Sequence, residues 1–183
     1  MKRLLLILAF AVTGIMANAQ MDVAEAHKQA TALAQEGKFD DAINIVTKAY
    51  ANNKGNTQLL KDKAYFSYMK GDHKGAIEAG RILIDKPDVD EQSYQILGSA
   101  LNANHNIKES ENVYRAGINK FPKSSMLYSE LGAVLMQSNP KDAIKAWEQG
   151  IQVDPNISNN YYYLTKVYAQ GNSNSLWAAL YGE

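Results

Sequence analysis

The sequence predicts an all-α solenoid in which pairs of helices, about 34 residues per pair, stack on one another. A small residue returns every 34 positions, at Ala30, Ala64, Gly98 and Gly132, each inside a stretch of helical periodicity. A second set, Ala42, Ala76, Ser110 and Ala143, keeps steps of 34, 34 and 33, and Gly117 to Gly150 is again 33. Two phased sets of small residues per unit imply two helices per unit, packed where a bulky side chain would not fit. A chain of 183 residues then makes one elongated domain that buries its apolar surface between neighbouring units.

Residues 1–19 read as a secretory signal peptide, separate from the domain over 20–183. Lys2 and Arg3 precede an apolar run from Leu4 to Met16, and Ala17-Asn18-Ala19 fits the small-x-small cleavage rule, leaving Gln20 first. A run of about 13 apolar residues falls short of the roughly 20 that cross a bilayer, so no membrane span is expected after cleavage. The expected destination is the periplasm, or alternatively the medium. With no cysteine, the chain has neither a disulfide framework nor a lipid-bearing residue at the end of the leader. Loss of Lys2 and Arg3 leaves 17 basic residues (19 less these two) against 19 acidic, a net charge of −2 with the signs interspersed. Nothing in that balance attracts nucleic acid or an anionic membrane.

The first unit, 23–56, carries Ala26, Ala30 and Leu33 in its first helix and Gly37-Lys38-Phe39 at the turn. Ala42, Ile43, Val46 and Ala49 follow in the second helix, and Asn52 to Gly55 closes the unit, where Gly or Asn adopts a left-handed helix end. The second, 57–90, runs through Leu60, Ala64, Tyr68, Gly71-Asp72, Ala76-Ile77, Leu83 and Pro87. The third, 91–124, has Tyr94, Leu97, Gly98 and Leu101 at i, i+3, i+4 and i+7, one apolar face with a glycine at the closest approach. Its second helix holds Ile107, Ser110, Val113, Tyr114, Gly117 and Ile118 and ends at Phe121, before Pro122. The fourth, 125–157, repeats the plan with Tyr128, Leu131, Gly132, Leu135, Ala143, Trp147, Gly150 and Pro155, one residue shorter at Ser138-Asn139-Pro140. A partial fifth, 158–183, begins with Tyr161, Leu164, Thr165 and Tyr168. After Gly171 to Ser175 it offers only a short segment bearing the apolar stripe Leu176, Trp177, Leu180 and Tyr181. Two readings of that stripe stand: it packs back onto the first helix of its own unit, or it is an edge that docks another chain.

The aromatic, Leu-Gly, mid-repeat Ala, second aromatic, second small residue and closing Pro of the third and fourth units resemble the tetratricopeptide repeat (TPR). The resemblance extends over about residues 22–183. It implies a TPR solenoid of antiparallel helix pairs forming a right-handed superhelix of about five repeats, with first helices lining a concave groove. Lys63 and Leu83 depart from the pattern, standing where the family prefers Leu and a small residue. By the family's groove offsets, the peptide-binding residues are His27, Thr31, Lys61, Tyr65, Tyr68, Gln95, Ser99, Asn102, Ser129, Ala133, Met136, Tyr162 and Lys166. The family's two-carboxylate clamp is not reproduced, because its positions hold His27, Thr31, Asp62, Gln92 and Ile96; recognition of an acidic chaperone tail is therefore not expected. A wall of Tyr, Gln, Asn and Ser suits an extended peptide held by backbone hydrogen bonds and aromatic contact. Against this stands the reading that Tyr65 and Tyr68 simply cover the neighbouring helix.

No enzymatic activity, metal or cofactor is expected. His27, His73 and His105 are the only histidines, and none has a second ligand at metal spacing. His73 and His105 fall at inter-helix turns and are expected on solvated surface. The acids Asp40-Asp41 and Asp88, Asp90 and Glu91 flank helix starts, as caps and first-turn charges do. Phosphate-loop, dinucleotide and nucleophile-elbow strings do not occur. The expected function is an exported scaffold that binds a protein or peptide segment in its groove. The alternative is a structural subunit of an envelope complex, or a self-associating solenoid, docking through Leu176, Trp177, Leu180 and Tyr181.

Overall fold

The computed structural model describes residues 22–170. The leader and the Leu176–Tyr181 stripe lie outside the described residues. Within them the chain is all helical: α1 (Val23–Gln35), α2 (Phe39–Asn52), α3 (Thr57–Lys70), α4 (His73–Ile84), α5 (Glu91–Ala103), α6 (Ile107–Lys120), α7 (Ser125–Leu135), α8 (Pro140–Val153) and α9 (Ser158–Gln170). Each odd helix pairs with the even helix after it across a short turn, which makes the two antiparallel neighbours. The result is a TPR solenoid of four helix pairs followed by the first helix of a fifth.

Several helix starts are fixed by side chains that accept orphan backbone N–H groups. Asn56 accepts from the Leu59 amide at 2.9 Å, Asp72 from Gly75 at 3.0 Å and Asp90 from Ser93 at 3.0 Å. Asn139 accepts from Asp142 at 3.2 Å, with Pro140 at the first helical position, where its missing N–H is no loss. Asp40 and Asp41 stand in the first turn of α2 and do not cap it; the cap position is Lys38. At the helix ends, Phe121 leaves the helical region before Pro122, and Gly55 closes the first unit at φ +92°.

Consecutive odd helices touch one another, α1 with α3, α3 with α5, α5 with α7 and α7 with α9, whereas no pair of even helices packs comparably. Elements that converge form the inner side of a curved stack, so the odd helices line the concave face. Each even helix is wedged between the odd helix of its own unit and that of the next.

Close approach explains the glycines of the third and fourth units. A Cβ on Gly98 would fall 2.5 Å from the Tyr114 ring, and one on Gly132 2.3 Å from Trp147 Nε1. Both rings are almost wholly buried. The second unit reaches the same density by exchanging sizes. Leu83 occupies the place of Gly117 and Gly150, and Gly80 occupies the place of Tyr114 and Trp147. Leu83 is fully buried with Leu60, Ala64, Ala79 and Ile96, while Leu97 of the next unit fills the space over Gly80, 3.1 Å from where a Cβ there would stand. A large and a small residue trade places one turn apart, so packed volume is conserved. Lys63 is half-buried.

Of the two turn histidines expected on solvated surface, His105 is so placed and His73 is not. His73 is half-buried as the first residue of α4, its ring 6.1 Å from that of Tyr68. His105 is exposed at a backbone φ of +62°, a left-handed turn conformation.

Candidate functional site

Among the described residues, the concave wall opens into two cavities separated by a bridged middle. The first, about 340 Å³, lies between α1, α3 and the start of α5 and is lined by polar groups with the rings of Tyr65 and Phe66. His27 Nδ1 lies 2.7 Å from Asp62 Oδ2, and Gln58 Nε2 donates to Asp62 Oδ1 at 2.8 Å, so both carboxylate oxygens are engaged. Asp62 is 6% exposed, and a buried carboxylate without partners would be severely destabilising. Lys61 leans towards the next unit and donates to Asp90 at 2.7 Å. Burial alone would raise the Asp90 carboxyl. Hydrogen bonds from the Lys61 ammonium and from the Ser93 hydroxyl and amide, with the charge of Lys61, outweigh it and hold the group below its ordinary value.

The middle of the wall repeats that plan with a neutral amide in place of the histidine. Gln95, two units after His27, donates to Glu130 at 3.1 Å, as His27 meets Asp62. Both pairs join residues 35 apart, one position beyond the repeat, because side chains on neighbouring parallel helices meet with a one-residue offset. Ser99 and the Tyr114 hydroxyl share a hydrogen bond at 3.0 Å, and burial pushes the Tyr114 phenol far up.

The second cavity, about 350 Å³, lies between α7, α8 and α9 and is lined by Ala133, Met136, Trp147, Tyr163, Lys166 and Val167. Trp147 and Tyr163 stack with centroids 5.1 Å apart and planes 12° from parallel. Trp147 Nε1 donates to the Ser129 carbonyl at 3.0 Å, and the indole, almost wholly buried, forms the floor beneath Tyr163. Burial, then the charge of Glu130, raises the Tyr163 phenol above its ordinary value. Tyr162 stands against Tyr163 at 5.4 Å, and the Lys166 ammonium lies 5.9 Å from the Tyr162 ring, within reach of a cation–π attraction.

Of the residues expected in the groove, His27, Thr31, Lys61 and Tyr65 line the first cavity, and Ala133, Met136 and Lys166 the second. Tyr162, 58% exposed, stands at the rim of the second, and Gln95 and Ser99 form the bridged middle. Asn102 is exposed further along α5. Ser129 is a correction: it is 3% exposed, because the indole of Trp147 closes over its carbonyl. Tyr68 is half-buried against the core. The expectation missed Gln58 and Phe66 in the first cavity and Trp147, Tyr163 and Val167 in the second. Gln58 and Asp62 are four apart, ahead of Tyr65 on the same helical face, which is the signal that could have found them.

The fold and this first-helix wall define a TPR solenoid. A family model described as tetratricopeptide repeat matches residues 27–90. Among solved structures, the chain is similar to residues 41 to the end of MamA from Desulfovibrio magneticus RS-1, at TM-score 0.69 and 15% identity over 88% of this chain and 91% of that one. A thermophilic TPR protein of Thermus thermophilus gives 0.68 and 16% over 85% and 87%. YrrB, described as a TPR protein with an unusual peptide-binding site, gives 0.64 and 14% over 92% and 89%. At these identities the likeness is one of fold. No protein of curated function matches the sequence. No described helix is long and apolar enough to cross a membrane.

Proposed function

We propose that this chain is an exported, non-enzymatic scaffold that binds an extended peptide or protein segment along the concave face of its solenoid. The observation that carries the reading is the pairing of two open cavities on one wall, one polar and one aromatic, with exposed rings at each. An extended segment spans such a wall, offering backbone groups to polar side chains and single side chains to the cavities. Tyr65 is 41% and Tyr162 58% exposed, so the double variant Tyr65→Ala/Tyr162→Ala removes recognition surface without opening the core. Partner capture by the wild-type chain and loss of capture by the variant, at unchanged helical content and melting temperature, is the expected result. Equal capture by both refutes the groove as the site. Export is tested by sequencing the protein recovered from cells, which should begin at Gln20.

A second reading, assembly through the C-terminal end, is favoured by one observation. Tyr161 on α9 is 42% exposed, whereas its third-unit equivalent Tyr94 is buried. Light scattering across rising concentration decides it, since a strict monomer rules out self-association.

A further inference from the structure

Resting on the groove reading, we propose that the aromatic end of the wall is a subsite for an acidic peptide segment. It seats one aromatic or large aliphatic side chain against Tyr163, Ala133 and Met136 and places a neighbouring carboxylate on Lys166. The two cavities are close in volume but differ in how their charged groups are engaged. In the first, the charged groups answer one another: His27 and Gln58 engage Asp62, and Lys61 is neutralised by Asp90. A partner gains little there beyond hydrogen bonds exchanged with groups already satisfied.

The second cavity is unsatisfied in a specific sense. Its walls are the side chains of Ala133, Met136 and Val167 and the rings of Trp147 and Tyr163, and the one indole donor is already used by Ser129. About 350 Å³ of such surroundings favours an apolar occupant, and Met136 adapts its shape to the one that arrives. Lys166 stands at its rim as an exposed cation. No carboxylate among the described residues forms an ion pair with it, and its ammonium lies over the Tyr162 ring. Glu130, whose charge reaches Tyr163, is engaged by Gln95 on the α7 side. An incoming carboxylate is therefore repelled from α7 and drawn to α9, which fixes the order of apolar anchor and acid across the groove.

The test is selection of random 12-residue peptides displayed on phage against wild type, Lys166→Glu and Ala133→Trp, with folding of each checked by circular dichroism. Wild type should enrich an aromatic or large aliphatic residue within two positions of Asp or Glu. Lys166→Glu should keep the apolar residue and exchange the acid for Lys or Arg, binding the wild-type peptide at least tenfold more weakly. Ala133→Trp, which fills the cavity, should lose the apolar requirement. Enrichment without the apolar–acidic pair, or an acidic preference that survives Lys166→Glu, overturns the proposal. If such peptides still depend on Tyr65 and Tyr162, the groove reading stands alone; if wild type enriches nothing, both fall.

Discussion

Gly132→Ala adds one methyl group at the tightest contact of the fourth unit, and its cost can be worked from neighbouring atoms. The new Cβ would meet Trp147 Nε1 at 2.3 Å and Cδ1 and Cε2 at 2.6 Å, well inside van der Waals contact. The indole cannot retreat freely, because it is 1% exposed, stacked on Tyr163 and hydrogen-bonded to Ser129. Overpacking of this kind costs about 1–3 kcal/mol, and displacing the indole from the Ser129 carbonyl costs about 1 kcal/mol more. Against these, alanine is the better helix former by about 1 kcal/mol. The net expectation is a loss of about 1–3 kcal/mol, read as a fall in melting temperature of about 2–12 °C by far-ultraviolet circular dichroism. Two controls sharpen the test. Gly75→Ala brings its Cβ equally close to Asp72 Oδ2, but that carboxylate is exposed and can swing aside, giving up only its cap bond to the residue 75 amide. The propensity gain of about 1 kcal/mol then offsets a cap loss of about 1 kcal/mol, and the variant should be close to neutral. In a Trp147→Leu background the clash is gone, and Gly132→Ala should change sign and stabilise. Wild-type stability for Gly132→Ala in the native background, or an equal loss in the Trp147→Leu background, refutes the packing argument.

Asp90 links the second and third units and predicts a pH dependence. Its carboxyl is held below the ordinary 3.8 in the folded chain. Its contribution is therefore fully present above the unfolded value of about 4 and is lost as pH falls through 3.8 and below it. Asp90→Asn should be less stable than wild type at pH 7, with the gap narrowing as pH falls through that window; a constant gap down to about pH 2 contradicts the assignment. Asn139→Ala removes the cap of α8 and should cost about 1 kcal/mol in urea unfolding, whereas no change would mean that Pro140 alone sets that helix start.

The architecture was legible in the sequence because a solenoid repeats its packing problem. Gly98 and Gly132 recur at one step because the same ring-against-backbone contact recurs, and the aromatic that fills each gap lies 16 or 15 residues on, at Tyr114 and Trp147. The departure at Leu83 was visible as a departure, but its meaning needed Gly80 and Leu97 in place. Placement of the wall was legible for His27, Lys61, Tyr65 and Lys166, since helical offsets fix which side a residue faces. Ser129 shares the offset of Lys61 and Gln95 and is nonetheless buried, because Trp147 bends over its carbonyl. Offsets record direction along one helix and carry no information about what a neighbouring helix lays across it.

The sequence by itself determined the helix pairs and their order, through a periodicity that depends only on local helix geometry and residue size. Only the tertiary structure decided which side chains meet across units: His27 with Asp62, Lys61 with Asp90, and Gln95 with Glu130. Those pairings depend on the angle and offset at which successive helix pairs stack, which the whole packed interface sets. The same stacking leaves one end of the wall internally neutralised and the other aromatic with an exposed cation.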